Sequence, residues 1–206
     1  MIRTVERLIK YYDQETKVKA VELGDFTGSD AFSLLEKCPG LVLHWVCPWR
    51  QMIQNSNCGI TEEKLTERYE EGKKNLEKFN NRFQVINGYY NEASYSFKDD
   101  SLDFVFFNNV YDDDEEKIKQ DILLWIPKVK DEGMVIGSFC HIHKFKSMII
   151  FFSKKLDFVF FDEGTWVLSP INQELREWAI ENSKREGDWN ESGYFESTRP
   201  DLRPRN

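Results

Sequence analysis

Cysteine is scarce. Cys38, Cys47, Cys58 and Cys140 are irregularly spaced and none forms a Cys-x-x-Cys pair, which excludes a disulfide scaffold and leaves no zinc or dithiol signature. They read as small buried hydrophobes in a reducing compartment. Long apolar runs are also missing: no segment approaches the roughly eighteen residues that cross a bilayer. Acids within MIRTVERLIKYYDQE interrupt what a signal peptide would need as its apolar region. The expectation is a soluble, cytoplasmic protein with no membrane partner. Positive charge is short as well, with 28 Lys and Arg against 36 Asp and Glu, a net charge of −8 and no basic run. Phosphate recognition starts from clustered positive charge, so nucleic acid is not expected as a partner.

What is present suits one substantial core. Of the 206 residues 40% are apolar and 15% aromatic, within the range of a single domain. That domain is expected to span residues 1–182, followed by a polar tail at 183–206 in which Pro200 and Pro204 stand among Arg and Asp. Nothing in the sequence opposes a homo-oligomer.

Hydrophobic spacing organises the domain. Val5, Leu8, Ile9 and Tyr12 recur at helical period over 3–13. Val18 to Leu23, Leu41 to Val46, Phe83 to Ile86, Leu102 to Phe107 and Met134 to Gly137 are short apolar runs. They have the composition of strands covered on both faces. Between them lie helical segments at 29–37, at 61–79 capped by Thr61, and after the acidic turn Asp112 to Glu116, with Ile118, Ile122, Trp125 and Ile126 inward. Gly72 slightly weakens the second of these. A further helix is expected over 143–155, and Phe158 to Phe161 with Thr165 to Ser169 read as a closing antiparallel pair. Alternation of this kind predicts an α/β, doubly wound, Rossmann-like sheet with its function at the carboxyl ends of the strands.

The segment most suggestive of chemistry is VELGDFTGSDAF, residues 21–32. A strand runs into Gly24, a tight turn, and Gly28 at the mouth of a helix. Glycine there lets a ligand approach bare backbone while the helix N-terminus offers unpaired N–H donors. Two glycines in an ordinary strand-to-helix turn fit the same letters.

Residues 18–140 resemble class I S-adenosylmethionine-dependent methyltransferases, including bacterial members acting on sugars and other small substrates. The resemblance is carried by Glu22, Gly24 and Gly28, by Val46-Cys47-Pro48-Trp49, by Ser101-Leu102-Asp103-Phe104-Val105-Phe106, by Asp121 to Lys128 (DILLWIPK) and by Gly137 to Cys140. It implies a seven-stranded, mostly parallel sheet with a terminal antiparallel strand, and S-adenosyl-L-methionine as cofactor. It also implies site roles. Glu22 and the turn Gly24, Asp25, Phe26, Thr27, Gly28 and Ser29 would hold the methionine end. Cys47, Pro48 and Trp49 would face the ribose and adenine, Gly88 and Tyr89 would line the adenine, and Asn108 would stand among the cofactor-binding residues.

Three positions depart from the pattern. Cys47 stands where the family has a ribose-binding Asp, and a thiol cannot replace two charge-assisted hydrogen bonds, a loss of roughly 1 to 3 kcal/mol. Cys47→Asp is therefore expected to tighten nucleoside binding. Asn108 and Phe139 stand where metal-using relatives have acids, which argues against a divalent metal because hard cations want several oxygens. Methyl transfer to a hydroxyl needs in-line approach and a base. Tyr111, Asp112, Asp113, His141 and His143 lie near strand ends, and the two histidines titrate in the useful range. The same histidines fit as exposed loop residues, and the acids fit as an ordinary helix start or as a cation site. The aromatics Trp45, Trp49, Tyr89, Tyr90, Tyr111 and Trp166 suit either stacking at the mouth or the core. The leading expectation is an O-methyltransferase for a small hydroxylated acceptor such as a sugar or glycan. A catalytically silent relative is the second, and a nicotinamide-dependent oxidoreductase, lacking the dinucleotide glycine spacing, a distant third.

Overall fold

The computed structural model describes residues 5–7, 9, 17–24, 27–47, 61–108, 115–138, 152, 158–161, 165–169 and 171–183. Among the described residues there are seven strands: β1 (Val18–Gly24), β2 (Leu41–Val46), β3 (Phe83–Ile86), β4 (Leu102–Asn108), β5 (Val129–Gly137), β6 (Phe158–Phe161) and β7 (Thr165–Leu168). They form one sheet in the order β3-β2-β1-β4-β5-β7-β6. β1 through β5 pair in parallel, and β7 runs antiparallel to both β5 and β6. The helices are α1 (Ser29–Lys37), α2 (Glu62–Leu76), α3 (Tyr90–Ser94), α4 (Glu115–Trp125) and α5 (Gln173–Asn182). The doubly wound expectation holds, with the antiparallel strand last in sequence but next to last in space.

Strand alternation sorts side chains to two layers. Ala20, Leu43, Trp45, Phe104 and Phe106 pack with Ala31, Leu34 and Leu35 of α1 and Tyr69 and Leu76 of α2. Val21, Leu23, Val105 and Phe107 pack on the opposite face with Ile118, Ile122 and Trp125 of α4 and Leu175 and Ala179 of α5. Within the expected helix 3–13, residues 5–7 and 9 are helical, and Val5 and Ile9 are buried in the α1 and α2 layer. Thr61 caps α2 by accepting from Lys64 N. The expected helix over 143–155 lies outside the described residues, except that Phe152 is helical and buried. The tail at 184–206 also lies outside them. Cys38 and Cys47 are buried, as small hydrophobes would be. Among the described residues no helix is long and apolar enough to cross a membrane.

Two elements exceed the sequence expectation. β5 begins at Val129 rather than Met134, through the polar stretch Lys130 to Gly133, with an irregular register against β4 between Leu102 and Phe104. Helix α5 is built from QELREWAIEN, a stretch for which no element was expected, although Leu175, Trp178 and Ala179 recur at helical spacing. Asn172 caps it by accepting from Leu175 N at 2.9 Å. Its Arg176, buried, donates from Nε (3.0 Å) and Nη2 (2.6 Å) to the carbonyl of Val129.

On β2, His44 stands edge-on to Phe97, with centroids 5.1 Å apart at 87°. Burial, and then the nearby Lys19 charge, lower its pKa below the usual 6.5, against a hydrogen bond donated to Gln84 that raises it. A base with a lowered native pKa favours folding while neutral, so this contribution is intact above about 6.5 and lost as the pH falls through the native value. His44→Gln is expected to flatten the acid side of the stability curve, read as thermal midpoint against pH; an unchanged acid limb would exclude this histidine as its source.

Candidate functional site

The strand order fixes where a ligand can sit. From β1 the sheet proceeds outward to β2 and β3 on one side and to β4 and β5 on the other. The crossovers therefore diverge between β1 and β4, and a crevice opens at their carboxyl ends. The turn from β1 to α1 lies there. Gly24 (φ 105°) and Gly28 (φ 63°) both occupy backbone regions that side-chain-bearing residues rarely adopt. The Gly24 carbonyl accepts from the Trp45 indole N–H at 2.9 Å. Thr27 Oγ1 accepts from Ser29 N at 3.2 Å and donates to Ser29 Oγ at 3.0 Å, closing the turn onto the helix start.

Across the crevice a polar bridge spans the two strands. Gly24 and Asn108 are register partners. The Asn108 amide Nδ2, buried, donates to Glu22 Oε1 and to Asp30 Oδ2, each at 2.8 Å. Glu22 is itself buried at the end of β1, and Asp30 lies in the first turn of α1. A neutral amide thus ties together two carboxylates from two elements, fixing the Glu22 side chain and keeping the locale negative. Asp30 was not expected as a site residue, because an acid in a first helical turn is explained by the helix dipole alone; only the fold brings it to Asn108.

Other expected residues fall on the same edge. Gly88 is buried and Tyr89 half-buried where β3 turns into α3. The Cys47 N–H donates to the Ile86 carbonyl at 3.1 Å, joining the end of β2 to β3. Cys47 is wholly buried in the cluster that holds Trp45, Tyr69 and Leu76. A carboxylate placed there by Cys47→Asp would be desolvated, a cost to the stability of the chain.

Two aromatics proposed for the mouth belong to the core instead. Trp45 is fully buried against Tyr69 and Phe83. Trp166 is buried beside Phe107 and donates its indole N–H to the Ser138 carbonyl at 3.2 Å. Both indoles are used to tie strand ends, a need that composition does not reveal. Tyr90 is also buried, and its carbonyl accepts from Trp125. Asp25, Phe26, Pro48, Trp49, Tyr111, Asp112, Asp113, Phe139, His141 and His143 lie outside the described residues. Among the described residues no group of three or more His, Cys, Asp or Glu is placed to hold a metal ion.

No protein-family model and no curated protein matches the sequence. Solved structures do. A protein from Corynebacterium glutamicum superposes with a TM-score of 0.58 at 10% identity, covering 82% of each chain. A methyltransferase from Geobacter sulfurreducens gives 0.54 at 11% identity, over 82% of this chain and 79% of that one. A protein described as an S-adenosyl-L-methionine-dependent methyltransferase from Methanococcus maripaludis gives 0.51 at 13%, over 82% and 84%. The chain spans 46% and 36% of the length of two further matches, from Galdieria sulphuraria and Nostoc punctiforme. At these identities the likeness is one of architecture: the chain has the class I methyltransferase fold.

Proposed function

We propose that the chain is an S-adenosylmethionine-dependent methyltransferase whose cofactor rests on the Gly24–Ser29 turn and whose acceptor is a small hydroxylated molecule, a sugar or glycan. The observation that carries the reading is the turn itself: two glycines at positive φ placed at the divergence of β1 and β4, in a sheet whose fold superposes on solved methyltransferases. Glu22 and Asp30, held by Asn108, make that edge negative, which suits a ligand bearing a sulfonium cation. In this reading Glu22 and the turn hold the methionine end, Gly88 and Tyr89 line the adenine, and a base from Tyr111, Asp112, His141 or His143 takes the acceptor proton. The sugar or glycan acceptor comes from the sequence resemblance.

A second reading, a silent relative that keeps the fold for binding or assembly, draws on Cys47. The residue in the place of a ribose-binding acid is sealed in the core and cannot contact a nucleoside without rearrangement. Titration calorimetry with S-adenosylhomocysteine separates the two. Micromolar binding is expected, and an absence of heat at millimolar ligand would favour the silent scaffold.

A further inference from the structure

Gly72 sits in the middle of α2, where glycine costs a helix about 1 kcal/mol relative to alanine. Its surroundings explain why it is there. A Cβ at Gly72 would lie 2.8 Å from the Thr27 carbonyl carbon, closer still to its oxygen, and 3.4 Å from Gly28 N, where ordinary contact begins at 3.4 Å. All three atoms are backbone of the turn, so no side-chain rotation relieves the clash. The contact is reciprocal. A Cβ at Gly28 would lie 2.8 Å from Leu76 Cδ1 and 3.7 Å from the Cα of Gly72. Trp45, which packs on Tyr69 of the same helix with centroids 5.6 Å apart, donates to the carbonyl of Gly24. Both ends of the turn are therefore held from behind by one helix and the indole it covers.

We infer that Gly72 is a positioning residue for the nucleoside site: it lets α2 press directly on the Thr27 and Gly28 backbone and so sets the height and tilt of the turn that receives the methionine end. The inference rests on the function proposed above. It makes a selective demand, because the atoms nearest a Cβ at Gly72 all belong to the turn that serves the methionine portion and none to Gly88 or Tyr89 on the adenine side.

The test is calorimetry of Gly72→Ala with two nucleosides, S-adenosylhomocysteine and 5′-methylthioadenosine, which lacks the amino-acid carbons. A displaced turn is expected to weaken S-adenosylhomocysteine by about tenfold, the scale of an overpacking strain, and to leave 5′-methylthioadenosine within about twofold of the parent. Leu65→Ala, buried on the same helix but not among the atoms nearest a Cβ at Gly28 or Gly72, is the control: it is expected to lower the thermal midpoint while leaving the ratio of the two affinities unchanged. Should Gly72→Ala fail to fold, Leu76→Val, which takes a methyl from behind Gly28, is expected to show the same selective loss. Equal weakening of both nucleosides, or of neither, overturns the positioning role. If the parent protein binds neither nucleoside, the proposed function falls first, and the inference with it.

Discussion

Asn108→Asp is expected to destabilise the protein by about 3 kcal/mol or more at neutral pH, since it replaces a shared donor by a third carboxylate in a buried position. In the parent chain the amide spends its hydrogens on Glu22 Oε1 and Asp30 Oδ2. The substitution withdraws both bonds and adds a charge of the same sign. The control is Asn108→Leu, which withdraws the bonds without adding charge and should cost about 1 to 3 kcal/mol. The difference between the two variants isolates repulsion. Crowding raises the native pKa of the new carboxyl, so the deficit of Asn108→Asp should shrink as the pH is lowered toward about 4 to 5, where carboxyls begin to protonate. Thermal melts of both variants across that range read the effect. Coincident curves for the two would show that repulsion among these carboxylates is not a significant term. Because a dication would relieve the same repulsion, magnesium should raise the midpoint of Asn108→Asp and leave the parent unchanged.

Arg176→Met is expected to be the other large loss. Arg176 threads from α5 to the start of β5, and two of its N–H groups converge on the buried Val129 carbonyl. A third meets Asp131 Oδ1 at 2.6 Å and a fourth meets Asp100 Oδ1 at 3.2 Å. The two acids are largely exposed, at 76% and 63% of their side chains, so solvent screens those pairs and they contribute little. The weight falls on the Val129 carbonyl, which loses both donors, and on the docking of α5. A loss of about 3 kcal/mol follows, which for a domain of this size lowers the melting midpoint by roughly 6 to 12 °C. Asp131→Asn is the contrasting variant and should shift it by no more than about 2 to 4 °C. Similar losses from the two variants would move the weight back to the ion pairs.

The parts of the fold legible from the sequence were those in which each segment announces itself. Val18 to Leu23, Leu41 to Val46 and Phe83 to Ile86 are strands because β-branched and aromatic runs bounded by glycine, proline or asparagine have few other uses in a buried sheet. The glycine turn was legible for the same local reason, since the backbone there adopts conformations open mainly to glycine. Helix α5 was hidden because only Leu175, Arg176 and Ala179 of its ten residues are buried, and one of those three is charged. The first part of β5 was hidden by Lys130, Asp131, Glu132 and Gly133, polar or flexible letters that bulge between the β4 pairings of Val129 and Met134.

Local chemistry by itself determined the alternation of strands and helices, the parallel architecture that such alternation forces, and the position of the glycine turn at the carboxyl end of β1. Tertiary structure alone decided what surrounds that turn: Asn108 meets Asp30 across 78 residues, Gly72 lies under Thr27, and Trp45 and Cys47 turn into the core rather than toward a ligand. The physical reason is range. Backbone preference and hydrophobic period act within a few residues, whereas hydrogen-bond partners and close backbone contacts are chosen only after the sheet has brought distant segments to a common edge.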